Sequence, residues 1–293
     1  MEKVTIKDLY RNTENYIDKT VEVAGWVRTV RDSKAFGFIE LNDGSFFNNL
    51  QIVFNDKLAN FEEVRKLTIS SSIIVNGTVV KTENAKQPFE IHADSVEIFN
   101  LADADYPLQK KRHSFEYLRT VAHLRPRTNT FNAVFRIRSV AAFAIHEYFQ
   151  NNGYVYVNTP IITCADCEGS AEMFKLTTLD LDKPLPQKDG KTDFSEDLFG
   201  KKAYITGSGQ LHGETFAEAY GKIYTFGPTL RSENSNTKTH ANEFWMIEPE
   251  IAFCDLEQLM DIEEDCLKFV VSRVLEKCPE EMEFCDKFIE KGL

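Results

Sequence analysis

The chain has 293 residues, of which 42% are hydrophobic and 27% are charged, a composition typical of a globular protein with roughly two domains. Its first residues contain no apolar segment of the kind found in a signal peptide, and no run of about 18 apolar residues predicts a membrane span. The formal net charge of −12 argues against a protein whose whole surface binds nucleic acid.

The six cysteines are scattered along the chain, which predicts a reduced protein of the cytoplasm. Cys164 and Cys167 form a lone CADC motif. Zinc binding or redox chemistry would suit such a pair, but a structural zinc site needs about four ligands, and no second pair follows at a suitable spacing. The alternative that we favour is two ordinary cysteines at the edge of a strand.

Residues 1–100 have the pattern of a small β-barrel. Five runs rich in β-forming residues are separated by turn residues, and they cover 20–30, 36–42, 50–54, 71–80 and 89–99. Between the third and fourth runs, four apolar residues recur at helical spacing: Leu58, Phe61, Val64 and Leu67. Three strands, a helix and two strands is the order of an OB-fold, which commonly binds single-stranded nucleic acid. A generic small barrel is the alternative.

Residues 101–130 form a polar, basic connector. Within 109–127 a single acid, Glu116, accompanies six cations: Lys110, Lys111, Arg112, Arg119, Arg125 and Arg127. A smaller basic cluster near the N-terminus consists of Arg28, Arg31 and Lys34. Charge runs are usually solvated faces, but two of them in an acidic chain also suit a partner with a phosphate backbone.

A different pattern begins at 131. It predicts a long amphipathic helix that Gly153 ends, then a strand over 154–163 that Pro160 interrupts. The polar stretch 180–202 predicts an exposed loop, and 203–221 predicts a strand, a turn and a helix. The last amphipathic helix has apolar residues at helical spacing: Leu256, Leu259, Met260, Cys266, Leu267, Val270 and Val274.

Residues 222–233 and 243–253 predict the two strands of an antiparallel hairpin with a polar loop between them. Arg231 would end the first strand and Phe244 would lie near the start of the second. An arginine presents a planar fork of donors that suits a phosphate, and a phenylalanine can cover an aromatic base. Glu233 or Glu243 can accept hydrogen bonds from a base, a ribose or an amine. A surface hairpin with an arginine–glutamate salt bridge explains the same residues, and the pattern alone favours neither interpretation.

The stretch TFGPTLRSENSNTKTHANEFWMIEPE (225–250) resembles the second signature motif of class II aminoacyl-tRNA synthetases, and in detail it is similar to the asparagine-specific branch of their aspartate/asparagine/lysine subgroup. AVFRIRSVAAFAIHEYFQNNGYVYVNTPIIT (133–163) resembles the first signature motif. DCEGSAEMF (166–174) and GSGQLHGETF (207–216) resemble the two segments that bind the amino acid. The resemblance covers nearly the whole chain.

The resemblance implies an α+β fold in three parts. An N-terminal OB-fold β-barrel that binds the anticodon would occupy 1–100, and the basic connector 101–130. An incomplete class II synthetase antiparallel sheet flanked by helices would occupy 131–293. The resemblance also implies a homodimer that forms through the helix and strand of 131–163.

The resemblance implies ATP, Mg²⁺, asparagine and tRNA(Asn) as ligands, and it supplies roles for the ATP site. Arg231 would bind the α-phosphate and the substrate carboxylate and would stabilise the charge that develops during attack. Glu233 would hold the adenine end, Phe244 would stack on the adenine, and His240 would lie near the β- and γ-phosphates. Simple solvent exposure is the alternative for His240.

The resemblance also supplies roles for the amino-acid and anticodon sites. Glu168, Ser208 and Gln210 would position the amino acid, while Glu248 would accept the side-chain amide N–H that asparagine has and aspartate lacks. A satisfied strand carboxylate is the alternative for Glu248. Three residues of the first domain would contact the anticodon: Phe38 by stacking, Gln51 by a base contact and Arg28 by phosphate or base contacts. Phe38 could instead belong to the barrel core.

This sequence also departs from the family. The family continues beyond the segments matched here with a third, glycine-rich motif and a further arginine that reads the substrate side chain, and neither has a counterpart in this sequence. We therefore expect a fragment of a longer enzyme or a shortened relative. Gly207, His212 and Leu230 stand where the family more often has other residues. Alternatives to the ligase are a catalytically incomplete tRNA-binding module and an amide-forming relative that uses no tRNA, although the anticodon-type barrel argues against the latter.

Overall fold

The computed structural model describes residues 2–83, 85, 87–167, 169, 172–234, 237 and 239–292. The chain divides into two compact units. The first unit comprises Met1–Ser139 and Leu275–Leu293, and the second comprises Val140–Val274. The division falls inside two long helices, α4 (Asn129–Asn151) and α6 (Leu256–Lys277).

The first unit contains a barrel and several short helices. The strands are β1 (Glu2–Lys3), β2 (Thr20–Asp32), β3 (Phe36–Asn42), β4 (Leu50–Asn55), β5 (Ser72–Lys81) and β6 (Phe89–Asn100). The helices are α1 (Ile6–Arg11), α2 (Phe61–Val64), α3 (Phe115–Thr120) and, near the C-terminus, α7 (Pro279–Phe288). Strand β1 and helix α1 precede the predicted barrel and were missed by the sequence pattern. Helix α2 is shorter than predicted, although all four of its predicted apolar residues are buried.

The five strands β2 to β6 form a closed barrel. Their order is β2–β3–β4–β6–β5, and β5 pairs back with β2. All neighbours are antiparallel except β4 and β6, which are parallel. With a helix between the third and fourth of these strands, this is the predicted OB-fold order.

The barrel core follows the alternation of its strands. Odd-numbered residues of β3 are buried, so Ile39 and Leu41 lie in the core, while even-numbered residues face outward. Phe38 is therefore on the outer face, and the core interpretation of this residue is wrong. The buried ring of Phe54 closely approaches Gly37: a Cβ at position 37 would lie 2.3 Å from the Phe54 ring.

The described residues of the second unit form three small sheets. Its strands are β7 (Val155–Tyr156), β8 (Ile162–Thr163), β9 (Lys175–Leu176), β10 (Gln187–Lys188), β11 (Lys191–Thr192), β12 (Ala203–Ile205), β13 (Lys222–Leu230) and β14 (Glu243–Ile251). Helix α5 spans Gln210–Tyr220. The sheet orders are β14–β13–β7, β8–β12–β9 and the hairpin β10–β11. The predicted interruption at Pro160 is found, since β7 and β8 lie on either side of this proline, which cannot donate to a ladder. The two parts are not one strand, however, because they belong to different sheets.

The apolar packing of the second unit corrects one prediction about α6. Cys266, Phe269 and Val270 pack against a cluster around the fully buried Tyr224. The predicted stripe also included Leu256 and Leu267, which are 70% and 68% exposed. That stripe spans more of the helix circumference than one buried face, so the side that carries Cys266, Val270 and Val274 is covered and the side that carries Leu256 and Leu267 is not.

The predicted exposed loop 180–202 is tied at one end by a buried carboxylate. Asp197 accepts hydrogen bonds from Thr177 Oγ1 at 2.5 Å, from the backbone N–H and Oγ1 of Thr178 at 2.8 Å each, and from Leu198 N at 2.7 Å. The Thr177 hydroxyl bond, with the others, holds the pKa of Asp197 well below its usual range. Within the part of the chain that the structure describes, no helix is long and apolar enough to cross a membrane.

Candidate functional site

The hairpin of β13 and β14 positions the predicted ATP residues. Its two strands are antiparallel over their whole length, with Thr229 opposite Phe244 and Leu230 opposite Glu243, which confirms the predicted hairpin. Arg231 directly follows β13, so its side chain emerges beside the start of β14. The Arg231 guanidinium carbon lies 5.5 Å from the centre of the Phe244 ring, within the range of a cation–π contact.

Arg231 also contacts the turn that precedes α5. Its Nε and Nη2 donate to Gly207 O at 3.4 and 3.3 Å, and Nη2 lies 3.7 Å from Met246 Sδ. These partners are a carbonyl, a thioether and a ring, so among the described contacts the predicted arginine–glutamate salt bridge is not found. Long hydrogen bonds to a neutral carbonyl are weak. A phosphate would replace them with shorter, charge-assisted bonds.

Glu248 lies deeper in the hairpin and holds the same turn. It accepts hydrogen bonds from Ser208 Oγ, from Gly209 N at 3.1 Å and from Thr225 Oγ1 at 2.9 Å. Three hydrogen bonds to Glu248 thus come from the protein itself, which agrees with the alternative of a structural strand carboxylate and leaves the predicted contact with the amino acid a prediction. Gly209 leaves no room for a side chain, because a Cβ there would lie 2.7 Å from Thr159 Oγ1 and 3.2 Å from Glu248 Oε1. The turn 206–210 thus joins the Arg231 end of the hairpin to the Glu248 end.

Gln210 is the last residue of this turn and the first residue of α5. Its N–H donates to Ser208 Oγ at 3.1 Å, and its Nε2 donates to Glu214 Oε1 at 3.0 Å. The Cys167 thiol lies 3.6 Å from Gln210 Oε1, which brings the two predicted amino-acid segments together. The predicted residue Glu168 lies outside the described residues.

Glu233 lies in the loop after Arg231 and joins a second segment. Its Oε1 accepts from the backbone N–H of Glu172 at 3.1 Å, and Ser232 N donates to Glu172 O at 2.7 Å. Asn242 connects the two ends of this loop. Its side-chain Nδ2 donates to Arg231 O at 2.8 Å, and its backbone carbonyl accepts from Arg231 N at 3.0 Å. The loop residue His240 is exposed and hydrogen-bonds with Thr237 Oγ1 through Nδ1. No described contact connects His240 with Arg231.

The outer face of the barrel carries the predicted anticodon residues Phe38 and Gln51. Phe38 lies 5.6 Å from Phe36, ring to ring in an edge-to-face arrangement, and the Arg31 guanidinium carbon lies 5.7 Å from the Phe38 ring centre. Gln51 Nε2 donates to Glu90 Oε2 at 2.8 Å. An aromatic ring, a cation and polar groups on one open sheet face are the elements of a single-stranded nucleic-acid site.

Arg28 is placed differently from the other predicted anticodon residues. Its Nη1 donates to Arg127 O at 2.6 Å and its Nη2 to Asn129 Oδ1 at 3.1 Å. Burial lowers the pKa of the guanidinium below its usual value. Arg28 therefore ties the barrel to the connector segment of the same unit, whereas Arg31 occupies the position beside Phe38.

The described residues offer no metal centre. No group of three or more His, Cys, Asp or Glu side chains in that part of the chain could hold a metal ion. Cys164 and Cys167 are both free and half-buried. The alternative of ordinary cysteines thus remains the simpler interpretation of the CADC motif.

Comparison with known protein families decides the family of this chain. Residues 114–291 match the family model for the class II tRNA synthetases of the D, K and N type. Residues 21–99 match the model of the OB-fold nucleic acid binding domain. The chain belongs to the class II tRNA synthetases.

Two curated synthetases illustrate the similarity. The chain is 61% identical over 294 aligned residues to an asparagine–tRNA ligase of Acetivibrio thermocellus and 60% identical over 293 residues to one of Clostridium novyi. In both cases the alignment covers 100% of this chain and 63% of the relative. The chain therefore spans less than two thirds of the length of these synthetases.

Solved synthetase structures show the same fold. The chain is similar to the asparaginyl-tRNA synthetase of Pyrococcus horikoshii complexed with asparaginyl-adenylate, with a TM-score of 0.81 and 28% identity over 97% of this chain and 61% of that one. The asparaginyl-tRNA synthetase of Entamoeba histolytica, also with asparaginyl-adenylate, has a TM-score of 0.77 and 21% identity over 98% and 61%. Both comparisons agree with an OB-fold barrel followed by a class II synthetase sheet with helices.

Several residues at the synthetase hairpin and barrel were missed by sequence reasoning. Thr225, Met246 and Asn242 contact the predicted hairpin residues. On the barrel, Glu90 contacts Gln51 and His92 contacts Glu90. The period of two was the available signal for Glu90 and His92, because it places both on the outer face of β6. For Asn242 the signal was weaker, because the sequence shows only that this residue directly precedes Glu243, the first residue of β14.

Proposed function

We propose that the protein to which this chain belongs attaches asparagine to tRNA(Asn) in an ATP-dependent reaction through an asparaginyl-adenylate. The observation that carries this proposal is that Arg231 and Glu248 are hydrogen-bonded to the same turn, Arg231 to Gly207 O and Glu248 to Gly209 N. The same turn thereby holds Arg231, a cation that suits the phosphate of ATP, and Glu248, a carboxylate that suits the side-chain amide of asparagine. The high identity with named asparagine–tRNA ligases supports the choice of amino acid.

The ATP end would be formed by the hairpin. Arg231 would exchange the Gly207 carbonyl for the α-phosphate, Phe244 would cover the adenine and Glu233 would hold the adenine amino group. A carboxylate oxygen of asparagine then attacks the α-phosphorus and pyrophosphate leaves. Arg231 would stabilise the charge that develops on the phosphoryl oxygens, and holding both reactants in line would supply much of the rate. His240 would approach the β- and γ-phosphates only if its loop rearranges from the arrangement with Thr237.

The amino-acid end would be formed by the turn and Glu248. Ser208, Gln210 and Glu168 would hold the ammonium and backbone groups. Glu248 already accepts three hydrogen bonds, and a carboxylate has about four acceptor positions. One acceptor position of the Glu248 carboxylate therefore remains available for the side-chain N–H of asparagine. Aspartate would place a carboxylate oxygen where asparagine has its N–H. Two hydrogen-bond acceptors, this oxygen and that of Glu248, would then face each other, which is unfavourable for the free energy of binding.

The barrel would bind the anticodon. Phe38 would stack on a base and Gln51 would contact a base edge, and the open outer face beside Arg31 supports this role. Arg28 would need to leave its bonds with the connector in order to contact RNA. We therefore assign the cationic contact to Arg31 and retain Arg28 as a weaker candidate.

The remaining parts of the proposal concern metal, assembly and location. Mg²⁺ would enter with the ATP substrate; among the described residues, no group of three or more His, Cys, Asp or Glu side chains could hold a metal ion. A homodimer through 131–163 is supported by exposed apolar side chains such as Phe143 and Ile161. Of the proposed division into 1–100, 101–130 and 131–293, the first part is supported by the OB-fold match over 21–99, whereas the synthetase match begins at 114, within the proposed connector. A cytoplasmic location is supported by the six free cysteines.

Amino-acid-dependent exchange of pyrophosphate into ATP tests this function on the complete gene product. We expect exchange with asparagine and little with aspartate or lysine. Faster exchange with aspartate or lysine would overturn the substrate assignment. Sedimentation of the same preparation tests the dimer, and a monomer at micromolar concentration would overturn that part.

A second candidate function is that of a tRNA-binding module that does not activate an amino acid. It is favoured by the barrel, which is closed and carries Phe38 beside Arg31 on its outer face. Binding of labelled tRNA(Asn) by the 293-residue chain at two salt concentrations tests this candidate. Phosphate contacts predict steep weakening with salt, and no binding at low salt would overturn it.

A further inference from the structure

Three polar side chains form a hydrogen-bonded row on the outer face of the barrel. His92 Nε2 lies 2.9 Å from Glu90 Oε1, and the other carboxylate oxygen, Glu90 Oε2, accepts from Gln51 Nε2 at 2.8 Å. Because a carboxylate can only accept, the imidazole nitrogen must be the donor. Glu90 thus receives one hydrogen bond on each oxygen and cannot turn without losing one of them.

The strand register puts this row beside the aromatic ring of the face. Phe38 is opposite Val53, which is opposite His92, and Glu40 is opposite Gln51. In the parallel strands β4 and β6, Ile52 is paired with Ile91. Gln51 directly precedes Ile52 and Glu90 directly precedes Ile91, so Gln51 and Glu90 are neighbours across the two strands. Side chains of neighbouring strands on one face approach within reach of each other. The row is therefore a consequence of the register.

The row determines which end of the Gln51 amide is available to a ligand. A glutamine amide presents a donor at Nε2 and an acceptor at Oε1, and its two orientations have nearly the same shape. Here Nε2 is committed to Glu90. Among the described residues, no hydrogen bond to Gln51 Oε1 is found, so the amide presents an acceptor toward the open face beside Phe38.

We propose that His92 is a positioning residue which, through Glu90, holds the Gln51 amide so that it accepts a hydrogen bond from the imino N–H of a guanine or uracil base. This inference rests on the proposed binding of tRNA(Asn) by the barrel. Without the His92 bond, Glu90 is free to rotate and the amide is free to flip. The flipped amide would present its NH₂ group, which suits the ring-nitrogen acceptor of adenine or cytosine equally well.

The genetic code allows a direct test, because the asparagine codons require the anticodon GUU and each of its bases carries an imino N–H. The probes are a tRNA(Asn) transcript and three single-base variants in which G becomes A or either U becomes C. Each change replaces the imino donor by an acceptor. Dissociation constants are measured by fluorescence anisotropy with the wild-type chain and with H92A, H92Q and N100A.

We expect wild type to bind tRNA(Asn) more tightly than one of the three variants, and H92A to reduce that ratio by about tenfold, a loss of about 1.4 kcal/mol of discrimination. H92Q restores the ratio, because a glutamine amide can still donate to Glu90. N100A changes an exposed neutral residue at the end of the same strand and leaves the ratio unchanged. His92 is itself 52% exposed, and melting curves check that each variant is folded.

The outcomes separate this inference from the proposed function. Wild type that binds all four RNAs equally would overturn anticodon reading by the barrel itself. With wild-type discrimination intact, an unchanged ratio in H92A would overturn the role of His92 alone, as would an equal weakening for all four RNAs. A ratio lost in H92A and also in H92Q would mean that the imidazole itself contacts RNA, which also overturns the positioning role.

Discussion

The barrel and the hairpin hold their candidate residues in different ways. On the barrel, Phe38 and Gln51 project outward from strands whose opposite face is a large, continuous apolar core. In the hairpin, Arg231 and Glu248 are hydrogen-bonded to one short turn, and the nearby apolar clusters are small. Phe38 can thus be changed without disturbing the barrel core, whereas Arg231 and Glu248 both hold one turn, so that a change in either affects the other.

The largest expected effect comes from the hairpin. R231A should lower asparagine-dependent pyrophosphate exchange by at least about 100-fold, because removal of a preorganised group that stabilises transition-state charge typically has this effect. The exposed connector residue Arg112 offers the matched control R112A, which should exchange at the wild-type rate. A less than tenfold loss in R231A would contradict the assignment of Arg231 as the phosphate ligand.

A smaller effect is expected on the barrel. F38A should weaken binding of tRNA(Asn) by about 1 to 3 kcal/mol, since stacking of one base on an aromatic ring has this magnitude. Pyrophosphate exchange should not change, because that reaction needs no tRNA. Phe99, which is 75% exposed at the end of β6, provides the control F99A. If F38A slowed exchange as strongly as it weakened tRNA binding, the two regions would not be independent.

A third prediction concerns coupling within the hairpin. T225V removes one donor to Glu248 with little change of shape, and we expect the KM for asparagine to rise by about tenfold, since a lost donor to a partly buried carboxylate costs about 1 to 2 kcal/mol. The effect should be indirect, with the ratio of asparagine to aspartate exchange falling as well. A change in KM with that ratio constant would indicate that Thr225 does not act through Glu248.

The smallest effect concerns stability and pH. Asp197 has a lowered pKa because Thr177 and its neighbours donate to the ionised form, so its contribution to stability is present above its ordinary pKa of about 4 and is lost as the pH falls through the lowered value. D197N should lower the melting temperature at pH 7 by a few degrees, and the difference should shrink below about pH 4.

The control for Asp197 is E196Q, since the neighbouring Glu196 is exposed. We expect E196Q to melt like wild type at both pH values. A D197N variant whose melting temperature differs from wild type by the same amount at pH 7 and pH 3 would show that the ionisation of Asp197 is not the source of the stabilisation.

The barrel was more predictable from sequence than the hairpin site. Its strands alternate so regularly that burial of Ile39 and Leu41 and exposure of Phe38 follow from the period of two. The hairpin itself was predictable from two β-rich runs around a polar loop. The hydrogen bonds of Glu248 were not, because they depend on a turn some forty residues away in sequence, between Thr206 and Gln210.

Arg28 illustrates the other limit of sequence reasoning. A basic cluster suggested an RNA contact for both Arg28 and Arg31, yet Arg28 binds a carbonyl and an amide of the connector. The target of a long side chain is decided by tertiary contacts about a hundred residues away, which local pattern does not contain. Similarly, the predicted apolar stripe of α6 did not reveal which side of the helix would pack.

The central claim is that the hairpin clamps an activated asparagine between Arg231 and Glu248. The most direct measurement is a crystal structure of the complete gene product with a non-hydrolysable asparaginyl-adenylate analogue. We predict Arg231 within hydrogen-bond distance of the group that replaces the α-phosphate, the adenine on Phe244, and the side-chain amide at Glu248. An analogue bound away from the hairpin, or with its amide turned away from Glu248, would contradict the claim.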